Sequence, residues 1–306
     1  MRILIVASGN SYKISPFVKE QVNSLEKHGL AIDYFLIKGK GIVGYLKNYF
    51  LLRNKLTKNK CYDIIHAHYG LSGLLASMQK LVPVVITFHG SDVNLWHNYL
   101  YSWLASRLSA RNIFVHSDLS KKLKIYSRDI DIIPCGIDLN IFKPMPISDA
   151  RNKLGLNQNK NYVLFSSSFN NKIKNYPLAR LAVKKIDNCE LIEMKDLSRT
   201  EVSLLMNAVD MLLVTSFSET GPLVVKEALA CNCPIISTNV GDVNKLIKNV
   251  KNCFITDYNE KEIQDKIKLI LESKEKTNGR DAVKEYRLDL VSIKILKVYE
   301  KVKYVS

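Results

Sequence analysis

This sequence has few acidic residues, few paired cysteines and few long apolar runs. No run approaches the ~18 apolar residues needed to span a bilayer. The apolar core of residues 1–7 is too short for a signal peptide, so we expect a first strand there. The 6 cysteines contain no C-x2-C pair, and Cys231 and Cys233 are the nearest neighbours. This usage argues against a zinc site or disulfide framework and is typical of a reducing cytoplasm.

The charge balance is strongly basic, with 45 Lys and Arg against 29 Asp and Glu and a net charge of +16. Nucleic acid, an anionic membrane surface and acidic substrates are the partners that such a charge favours. No nucleic-acid-binding motif occurs, and the aromatic residues do not interleave with basic ones in a recognisable module. We therefore expect no nucleic acid, and we assign the charge to a membrane surface together with an acidic substrate.

The length of 306 residues predicts two domains of about 150 residues each, and 47% hydrophobic content is enough for two cores. Strands and helices alternate twice over, which predicts two doubly wound α/β domains facing across a cleft. Residues 134–146 hold three prolines and form a turn-rich linker. The predicted domains are therefore residues 1–143 and 144–287.

One stretch dominates the second half. Residues 209–214 have the length and content of a buried strand, Thr220 and Gly221 form a turn, and Pro222 suits the first turn of a helix. Residues 223–230 continue at helical spacing. A helix start presents free backbone N–H groups and the positive end of the helix dipole, which together favour a phosphate.

Two carboxylates bracket this predicted anion site. Glu219 stands on the turn and Glu227 lies roughly 7–8 Å along the helix from Pro222. Ionised carboxylates are acceptors only, and paired sugar hydroxyls are neutral donors that suit them. The alternative makes Glu219 a helix-capping acid and Glu227 a solvated surface residue beside Lys226.

These residues carry a family resemblance. Glu219 and Glu227, eight apart around Gly221 and Pro222, resemble the E-x7-E motif of glycosyltransferase family 4, whose members are retaining enzymes of the GT-B fold. The resemblance covers nearly the whole chain. It implies that Glu219 lies at the donor sugar and that Glu227 accepts the ribose hydroxyls. It also implies that backbone N–H groups of the intervening segment hold the donor pyrophosphate and that Thr220 lies with Glu219 at the sugar. The donor-binding residues of this segment are Thr220, Gly221, Pro222, Leu223 and Val224.

The same resemblance gives a role to one loop lysine. Lys174 stands where the family keeps the lysine that neutralises the donor pyrophosphate, although a solvated loop lysine is the alternative. The family's partner arginine is absent near Ser168, so Lys172 or Arg180 would have to substitute for it. In addition, Asp242 follows Gly241 where the family often has paired glycines.

Two loops of the first domain are candidate binding segments. Gly9 and Asn10 follow the first strand, and the resemblance puts a glycine-bearing loop there against the donor phosphates; an ordinary turn is the alternative. His89 follows a buried strand in a T-x-H-G-x-D pattern, where the family has its sugar-contacting histidine. A structural hydrogen bond is the other interpretation of His89. Asp92 is predicted to cap a helix that begins near Val93.

Two further patterns suggest other chemistry. Residues 39–44 spell G-x-G-x-x-G, the dinucleotide fingerprint of an NAD-dependent oxidoreductase, but they follow the second strand rather than the first. His66 and His68 lie on one side of a strand, at the spacing of a metal pair. No third ligand is in view, so structural histidines at a strand end are the favoured interpretation.

Two helices have informative apolar patterns. Residues 42–56 are predicted to form a helix with a basic face, and no acid occurs between Asp33 and Asp63. The apolar stripe of this predicted helix comprises Ile42, Tyr45, Leu46, Tyr49, Phe50 and Leu52. Such a helix either lies on an anionic membrane or packs on the core with its basic face in water. Residues 288–306 are expected to pack back on the first domain, as in GT-B proteins, through a stripe that comprises Leu290, Ile293, Leu296 and Tyr299.

The resemblance implies a retaining glycosyltransferase with His89 and Glu219 as its catalytic residues. It would move a hexose-type sugar from a nucleotide-diphosphate donor to a glycan acceptor, with a lipid-linked oligosaccharide of surface polysaccharide (capsule or exopolysaccharide) synthesis as the expected acceptor. We expect no metal or other cofactor, and a cytoplasmic protein peripheral on the inner face of the plasma membrane. The alternatives are a GT-B sugar-nucleotide epimerase, an NAD-dependent oxidoreductase that uses Gly39–Gly44, and a non-catalytic sugar-nucleotide-binding module.

Overall fold

The strands of this chain form two parallel sheets, each in a unit of its own. The structure, a computed structural model, describes residues 1–9, 14–39, 41–59, 61–125 and 130–303. The first unit comprises Met1–Gly136 with Leu288–Ser306, and the second comprises Ile137–Arg287. Within the described ranges, no helix is both long enough and apolar enough to cross a bilayer.

The first unit has a six-stranded sheet with the order β2-β1-β3-β4-β5-β6. Its strands are β1 Arg2–Ser8, β2 Ala31–Ile37, β3 Ile64–His68, β4 Val84–Phe88, β5 Arg111–Phe114 and β6 Ile130–Ile132. Its helices are α1 Pro16–Glu26, α2 Gly41–Lys58, α3 Gly70–Ser77, α4 Ser91–Asn94, α5 Trp96–Leu108, α6 Ser117–Lys122 and, from the end of the chain, α14 Leu288–Lys303. β3 and β4 are buried at every position, which explains their apolar content.

The second unit has a five-stranded sheet with the order β11-β10-β9-β7-β8. Its strands are β7 Asn161–Phe165, β8 Cys189–Glu193, β9 Met211–Val214, β10 Ile235–Thr238 and β11 Cys253–Thr256. Its helices are α7 Ile147–Leu154, α8 Tyr176–Lys184, α9 Arg199–Ala208, α10 Leu223–Ala230, α11 Val243–Ile247, α12 Glu260–Ser273 and α13 Gly279–Ala282, with 3₁₀ turns at Lys172–Lys174 and Lys284–Tyr286. All strand pairs in both sheets are parallel.

The division between the units falls after Gly136, earlier in the chain than the predicted boundary at residue 143. The linker segment is tied to the second unit by backbone hydrogen bonds. The Ile137 N–H donates to the Tyr286 carbonyl at 2.8 Å. Arg280 donates to the carbonyls of Leu139 and Phe142 at 2.8 and 2.6 Å. A composition-based boundary cannot detect such contacts, because their partner lies about 140 residues further along the chain.

The predicted stripe of α14 is rotated relative to the face that the structure buries. The buried residues are Leu288, Val291, Ser292, Ile295, Val298, Tyr299 and Val302. Leu290 and Ile293 are exposed, whereas Tyr299 is buried and Leu296 is partly buried against the same core, so half of the predicted stripe lies on the packed face. The helix is apolar on more than one side, and periodicity therefore could not choose between the sides. The contact with α1 determines which side of α14 is buried. In that contact the Ser292 hydroxyl donates to the Ser24 hydroxyl at 2.8 Å.

The apolar stripe predicted for α2 is only partly buried. Leu52 and Leu56 are buried, and so is Asn48, which binds the backbone of Lys38 and Gly44. Leu46 and Phe50, which the prediction assigned to the apolar stripe, are 50% and 66% exposed. The structure therefore leaves part of the apolar surface of this helix in contact with solvent.

Candidate active site

The carboxyl ends of β7 and β9 form the switch point of the second sheet. These strands are neighbours, while β8 and β10 lie outside them, so the loops after β7 and β9 lead away on opposite sides. Lys174, from the loop after β7, meets Glu219, from the loop after β9, with 2.5 Å between Nζ and Oε1. Both side chains are less than a fifth exposed. The structure thus brings together two residues that the sequence separates by 45 positions.

Hydrogen bonds between the two loops hold this ion pair in place. The Thr215 hydroxyl donates to the Lys174 carbonyl at 2.9 Å, and the Phe217 N–H donates to the Ile173 carbonyl at 2.9 Å. The Ser216 hydroxyl donates to Oε1 of Glu219 at 2.7 Å. Glu219 is therefore oriented by a lysine and a serine, rather than acting as the cap of α10.

The start of α10 lies directly after Glu219. Pro222 is the N-cap residue, and most of the helix is buried, so its first turn is fixed in position. The N–H groups of Leu223 and Val224 precede the first intrahelical donor, Val225. A Cβ at Gly221 would lie 3.7 Å from the Asp242 carboxylate. Oδ1 of Asp242 is buried and finds no hydrogen-bond partner within the described ranges.

Glu227 is buried rather than solvated, so the surface-residue alternative for it is wrong. Its carboxylate is 4% exposed and forms an ion pair with Arg199. The Arg199 guanidinium also lies 4.6 Å from the ring centre of Phe142. Lys226, which was expected beside Glu227 on the surface, is 1% exposed and packs over Tyr286.

Arg199 is a residue of this site that sequence reasoning missed. It begins α9, whose N-terminus is fixed by a capping box formed by Ser198 and Glu201. That capping pattern predicts a helix start but gives no indication of what the next side chain contacts. The pairing with Glu227 depends on two elements that lie 28 residues apart.

The residues considered as replacements for the missing arginine lie around the Lys174 loop. Ser168 is held by Glu193, with 2.8 Å between Oγ and Oε1. Lys172 stands on the same 3₁₀ turn as Lys174, and Arg180 stands on α8; both are exposed. Of the cations in this loop, Lys174 is the one that contacts Glu219.

His89 lies at the carboxyl end of β4 in the first unit, as predicted, and it is held by neighbouring side chains. Its Nε2 lies 3.0 Å from Nδ1 of His68, and its Nδ1 lies 3.8 Å from Sγ of Cys135. Phe17 and Tyr69 pack against the ring at centroid distances of 5.1 and 4.6 Å. Burial, and then His68, lowers the pKa of His89 well below its usual value, so the ring is neutral near pH 7.

His66 and His68 are structural partners rather than a metal pair. Nδ1 of His66 lies 2.6 Å from the Tyr299 hydroxyl, and Nε2 lies 2.7 Å from the Thr87 hydroxyl, so both nitrogens are engaged. His68 uses Nδ1 for His89, while its buried Nε2 has no partner within the described ranges. Burial lowers the pKa of His68 to about 3. Among the described residues, no three His, Cys, Asp or Glu side chains are grouped to hold a metal ion.

Asp92 caps a different helix from the one predicted. Its carboxylate accepts the N–H of Gly70, the first residue of α3, at 3.1 Å, and the N–H groups of His89 and Gly90 at 3.1 and 2.8 Å. Burial raises the pKa of Asp92 to about 6 despite these bonds. The acid therefore joins the turn that carries His89 to the start of α3.

Tyr69 is a further residue that the sequence did not reveal. It connects β3 to α3 with a φ of 71°, a left-handed conformation that is rare for an aromatic residue. Its ring packs on His89. Burial, and then Asp92, raises the pKa of Tyr69 to about 12. Strain of this kind clusters at functional sites, and a sequence pattern does not report it.

Gly9 and Gly44 of the first unit have packing explanations. A Cβ at Gly9 would come within 2.8 Å of Cβ of Leu36, so this turn needs glycine for its contact with β2; Asn10 lies outside the described residues. A Cβ at Gly44 would come within 2.8 Å of Gly39, and Asn48 ties the same turn. The G-x-G-x-x-G segment follows β2, which is the edge strand of the sheet. Close packing between Gly39 and Gly44 therefore accounts for two of the three glycines without a dinucleotide.

Comparison with protein families gives matches in both halves of the chain. The family described as Glycosyltransferase Family 4 matches residues 18–141, and the family described as Glycosyl transferases group 1 matches residues 186–286. The second match contains Arg199, Glu219 and Glu227. The first contains His89 and begins after Gly9.

Curated relatives are distant. A glycosyltransferase of Methanocaldococcus jannaschii is 24% identical over 87% of this chain and 82% of its own length. A galactosyltransferase of Escherichia coli, named for transfer from UDP-Gal to GlcNAc-diphosphoundecaprenol, is 27% identical over 67% of this chain and 65% of its own length. A putative teichuronic acid biosynthesis glycosyltransferase of Bacillus subtilis is 26% identical over 60% of this chain. The chain spans only 55% of that relative.

Solved structures share the fold at low identity. Sucrose-phosphate synthase from Thermosynechococcus elongatus superposes with a TM-score of 0.84 at 16% identity, and each chain is covered completely. The Anabaena protein HepE in complex with UDP gives 0.76 at 17% identity, over 98% of this chain and all of that one. UDP-GlcNAc 2-epimerase from M. jannaschii gives 0.62 at 14% identity, over 98% and 100%. The GT-B fold is therefore shared by transferases and an epimerase, and the fold alone does not separate these activities.

Proposed function

This chain belongs to the group 1 glycosyltransferases of family 4, with the GT-B fold, and from that premise we propose that it is a retaining hexosyltransferase. Its donor is a nucleotide-diphosphate sugar, and its acceptor is a glycan carried on a lipid. The observation that carries the proposal is the ion pair between Lys174 and Glu219 beside the start of α10. Lys174, Glu219 and the start of α10 all lie in the loops at the switch point of the second sheet.

The charges of this site suit a pyrophosphate next to a sugar. An ammonium group has three N–H donors, so Lys174 can keep its bond to Glu219 and still donate to a phosphate oxygen. The N–H groups of Leu223 and Val224 and the dipole of α10 add positive potential at the same point. These groups would stabilise the charge that develops on the departing diphosphate. Glu219 and Thr220 would then lie at the sugar, and Glu227 would anchor the ribose.

The transfer itself needs no protein nucleophile in this proposal. The bond between the anomeric carbon and the diphosphate oxygen breaks, and the acceptor hydroxyl oxygen bonds to that carbon on the same face. The acceptor proton passes to the departing diphosphate. A neutral His89 would hydrogen-bond a sugar hydroxyl, because its lowered pKa leaves it uncharged near pH 7.

The names of relatives support the proposed donor and acceptor classes. One relative is named for a UDP-galactose donor and a diphosphoundecaprenol acceptor, and a structural neighbour binds UDP. We therefore propose a nucleoside-diphosphate donor and a lipid-linked acceptor in surface polysaccharide synthesis. The reaction would take place in the cytoplasm, at the inner face of the plasma membrane, without a metal cofactor.

The three rival functions predict different outcomes in one screen. The experiment measures thermal shift and turnover with UDP-, GDP- and ADP-sugars, with NAD as a comparison. Stabilisation by one nucleotide, with sugar transfer to added acceptor or slow donor hydrolysis, supports the transferase. Epimerised donor without transfer would support the epimerase, and stabilisation by NAD alone would support the oxidoreductase.

Glu227→Ala separates an enzyme from a binding module. We expect this variant to lose donor turnover by at least about tenfold, because a bidentate acceptor for the ribose is removed. The change also leaves Arg199 without its carboxylate, so thermal unfolding of the variant is measured in parallel. Glu227→Gln keeps the size and shape of the side chain but replaces one acceptor oxygen by a donor amide group, so it tests the loss of the carboxylate with less loss of packing. Nucleotide binding without turnover in the wild-type protein would support the non-catalytic module.

A further inference from the structure

Two helices of the first unit present apolar ridges to solvent. On α2 the ridge is Val43, Leu46 and Phe50, which are spaced three and four residues apart and are between 50% and 80% exposed. On α5 the ridge is Trp96, Leu100 and Leu104, which are spaced four apart and are between 37% and 87% exposed. Exposed apolar residues that recur at helical spacing form continuous surfaces, unlike the scattered ones of an ordinary protein surface.

An apolar cavity of about 300 Å³ lies between these helices. It is lined by aliphatic and aromatic side chains of α2, α3 and α5, including Leu46, Tyr49, Leu71, Leu74 and Tyr101, and by Met78, which directly follows α3. Leu46 belongs both to the α2 ridge and to the cavity wall, and Tyr101 stands next to Leu100. The ridges therefore flank the cavity, and we call the two ridges and the cavity together the apolar face.

The charged residues on the three helices of the apolar face all have one sign. The sequences of α2, α3 and α5 contain no acidic residue. Their basic residues are Lys47, Arg53, Lys55, Lys58 and Arg107. On these three helices the apolar side chains are thus accompanied by basic residues and by no acidic one, which is the charge pattern of helices that lie in the headgroup region of an anionic membrane.

We propose that the apolar face binds an anionic phospholipid bilayer, with the ridges in the headgroup region and an acyl chain in the cavity. The absence of acidic residues from these helices favours a bilayer as the partner, because anionic headgroups attract every charged side chain that the helices carry. A second copy of this chain would instead bring two like-charged surfaces together. The inference deepens the proposed function, since a lipid-linked acceptor would lie at the same surface, but its test uses neither donor nor acceptor.

The test is co-sedimentation of the full chain with vesicles. We expect binding to phosphatidylcholine vesicles that contain phosphatidylglycerol, with at least about tenfold weaker binding to pure phosphatidylcholine and weaker binding as salt rises. Leu46→Ser with Phe50→Ser should weaken partitioning by at least about tenfold, because two large apolar side chains no longer enter the bilayer. Trp96→Ser is a second variant on a different helix, in case the α2 variant does not fold.

A matched control lies on the second unit. Leu181 and Leu269 are 49% and 45% exposed, so Leu181→Ser with Leu269→Ser removes similar apolar area and should leave vesicle binding unchanged. In a Trp103→Phe background, lipids with brominated acyl chains should quench the remaining fluorescence of Trp96, which locates the contact on α5.

Three results would overturn the proposal: no vesicle binding, equal binding to neutral and anionic vesicles, or equal loss in the control variant. A dimer that Phe50→Ser dissociates would show that a second copy covers the face instead. Donor turnover is measured separately. Donor turnover without vesicle binding therefore overturns this inference alone. Vesicle binding without donor turnover overturns the proposed function alone.

Discussion

At the residue scale, the Lys174–Glu219 pair would serve two purposes, which are to orient Glu219 and to bind the donor. Lys174 forms an ion pair with Glu219, and its ammonium group has further N–H donors that a bound anion near the start of α10 could accept. Both side chains are largely shielded from water, so the interaction is stronger than that of a surface ion pair. The same lysine can thus hold the acid in place and neutralise the donor.

We predict that Lys174→Ala lowers kcat/KM for the donor by about 10²–10³-fold, the usual cost of removing one group that stabilises developing charge. The loss should fall mainly on kcat, because charge on the leaving diphosphate grows in the transition state. Steady-state kinetics with the preferred donor measures it. Lys184→Ala, an exposed lysine on α8, is the matched control. Wild-type kinetics in Lys174→Ala would remove Lys174 from the site.

The histidines around His89 make the stability of the first unit depend on pH. Burial keeps the folded pKa of His68 at about 3, below the value of 6.5 that it has when unfolded. Between these values the unfolded chain binds the proton and the folded chain does not. The stabilising contribution is therefore fully present above pH 6.5 and is lost as the pH falls.

We predict that His68→Gln reduces the loss of unfolding free energy between pH 7.5 and pH 5 by about 2 kcal/mol, the value of 1.5 pKa units. Chemical denaturation at the two pH values measures it. His97→Gln, at an exposed position on α5, should keep the wild-type dependence. A variant with the same pH dependence as the wild-type protein would show that His68 is not held neutral.

At the scale of elements, two turns at the carboxyl edge of the second sheet support each other. Gly241 follows β10 with a φ of 55°, and a Cβ there would lie 3.2 Å from the Glu219 carbonyl oxygen. The turn after β10 therefore sets the position of the turn that carries Glu219. Gly155, at the end of α7, has a similar φ of 66° with open space around it.

We predict that Gly241→Ala and Gly155→Ala each lose about 1 kcal/mol of stability, the cost of a left-handed alanine. Only Gly241→Ala should also lose donor turnover, by about tenfold or more, because its Cβ displaces the Glu219 turn. Thermal unfolding of both variants measures the cost of backbone strain, and donor kinetics measure the displacement of the Glu219 turn. Equal turnover in the two variants would contradict this coupling.

At the scale of the whole molecule, nucleotide binding should stabilise the chain by an amount that grows with the logarithm of the ligand concentration. A ligand at a hundred times its Kd adds about 2.7 kcal/mol to the free energy of unfolding. For a unit of about 150 residues this corresponds to an increase in Tm of roughly 5–11 °C. We predict such a shift with the cognate nucleoside diphosphate, measured by differential scanning calorimetry. A shift with NAD and none with nucleoside diphosphates would contradict the donor assignment.

The sequence by itself determined the α/β class, the strand, turn and helix around Glu219, and the position of His89 after its strand. These features are local, because a buried strand, a proline at a helix start and residues eight apart all lie within one short stretch. The tertiary structure decided which sides of α2 and α14 are buried, where the units divide, and that Arg199 pairs with Glu227. It also brought His68, Tyr69 and Cys135 to His89. Each of these depends on contacts between distant segments, and periodicity along one segment carries no information about the surface that will pack against it.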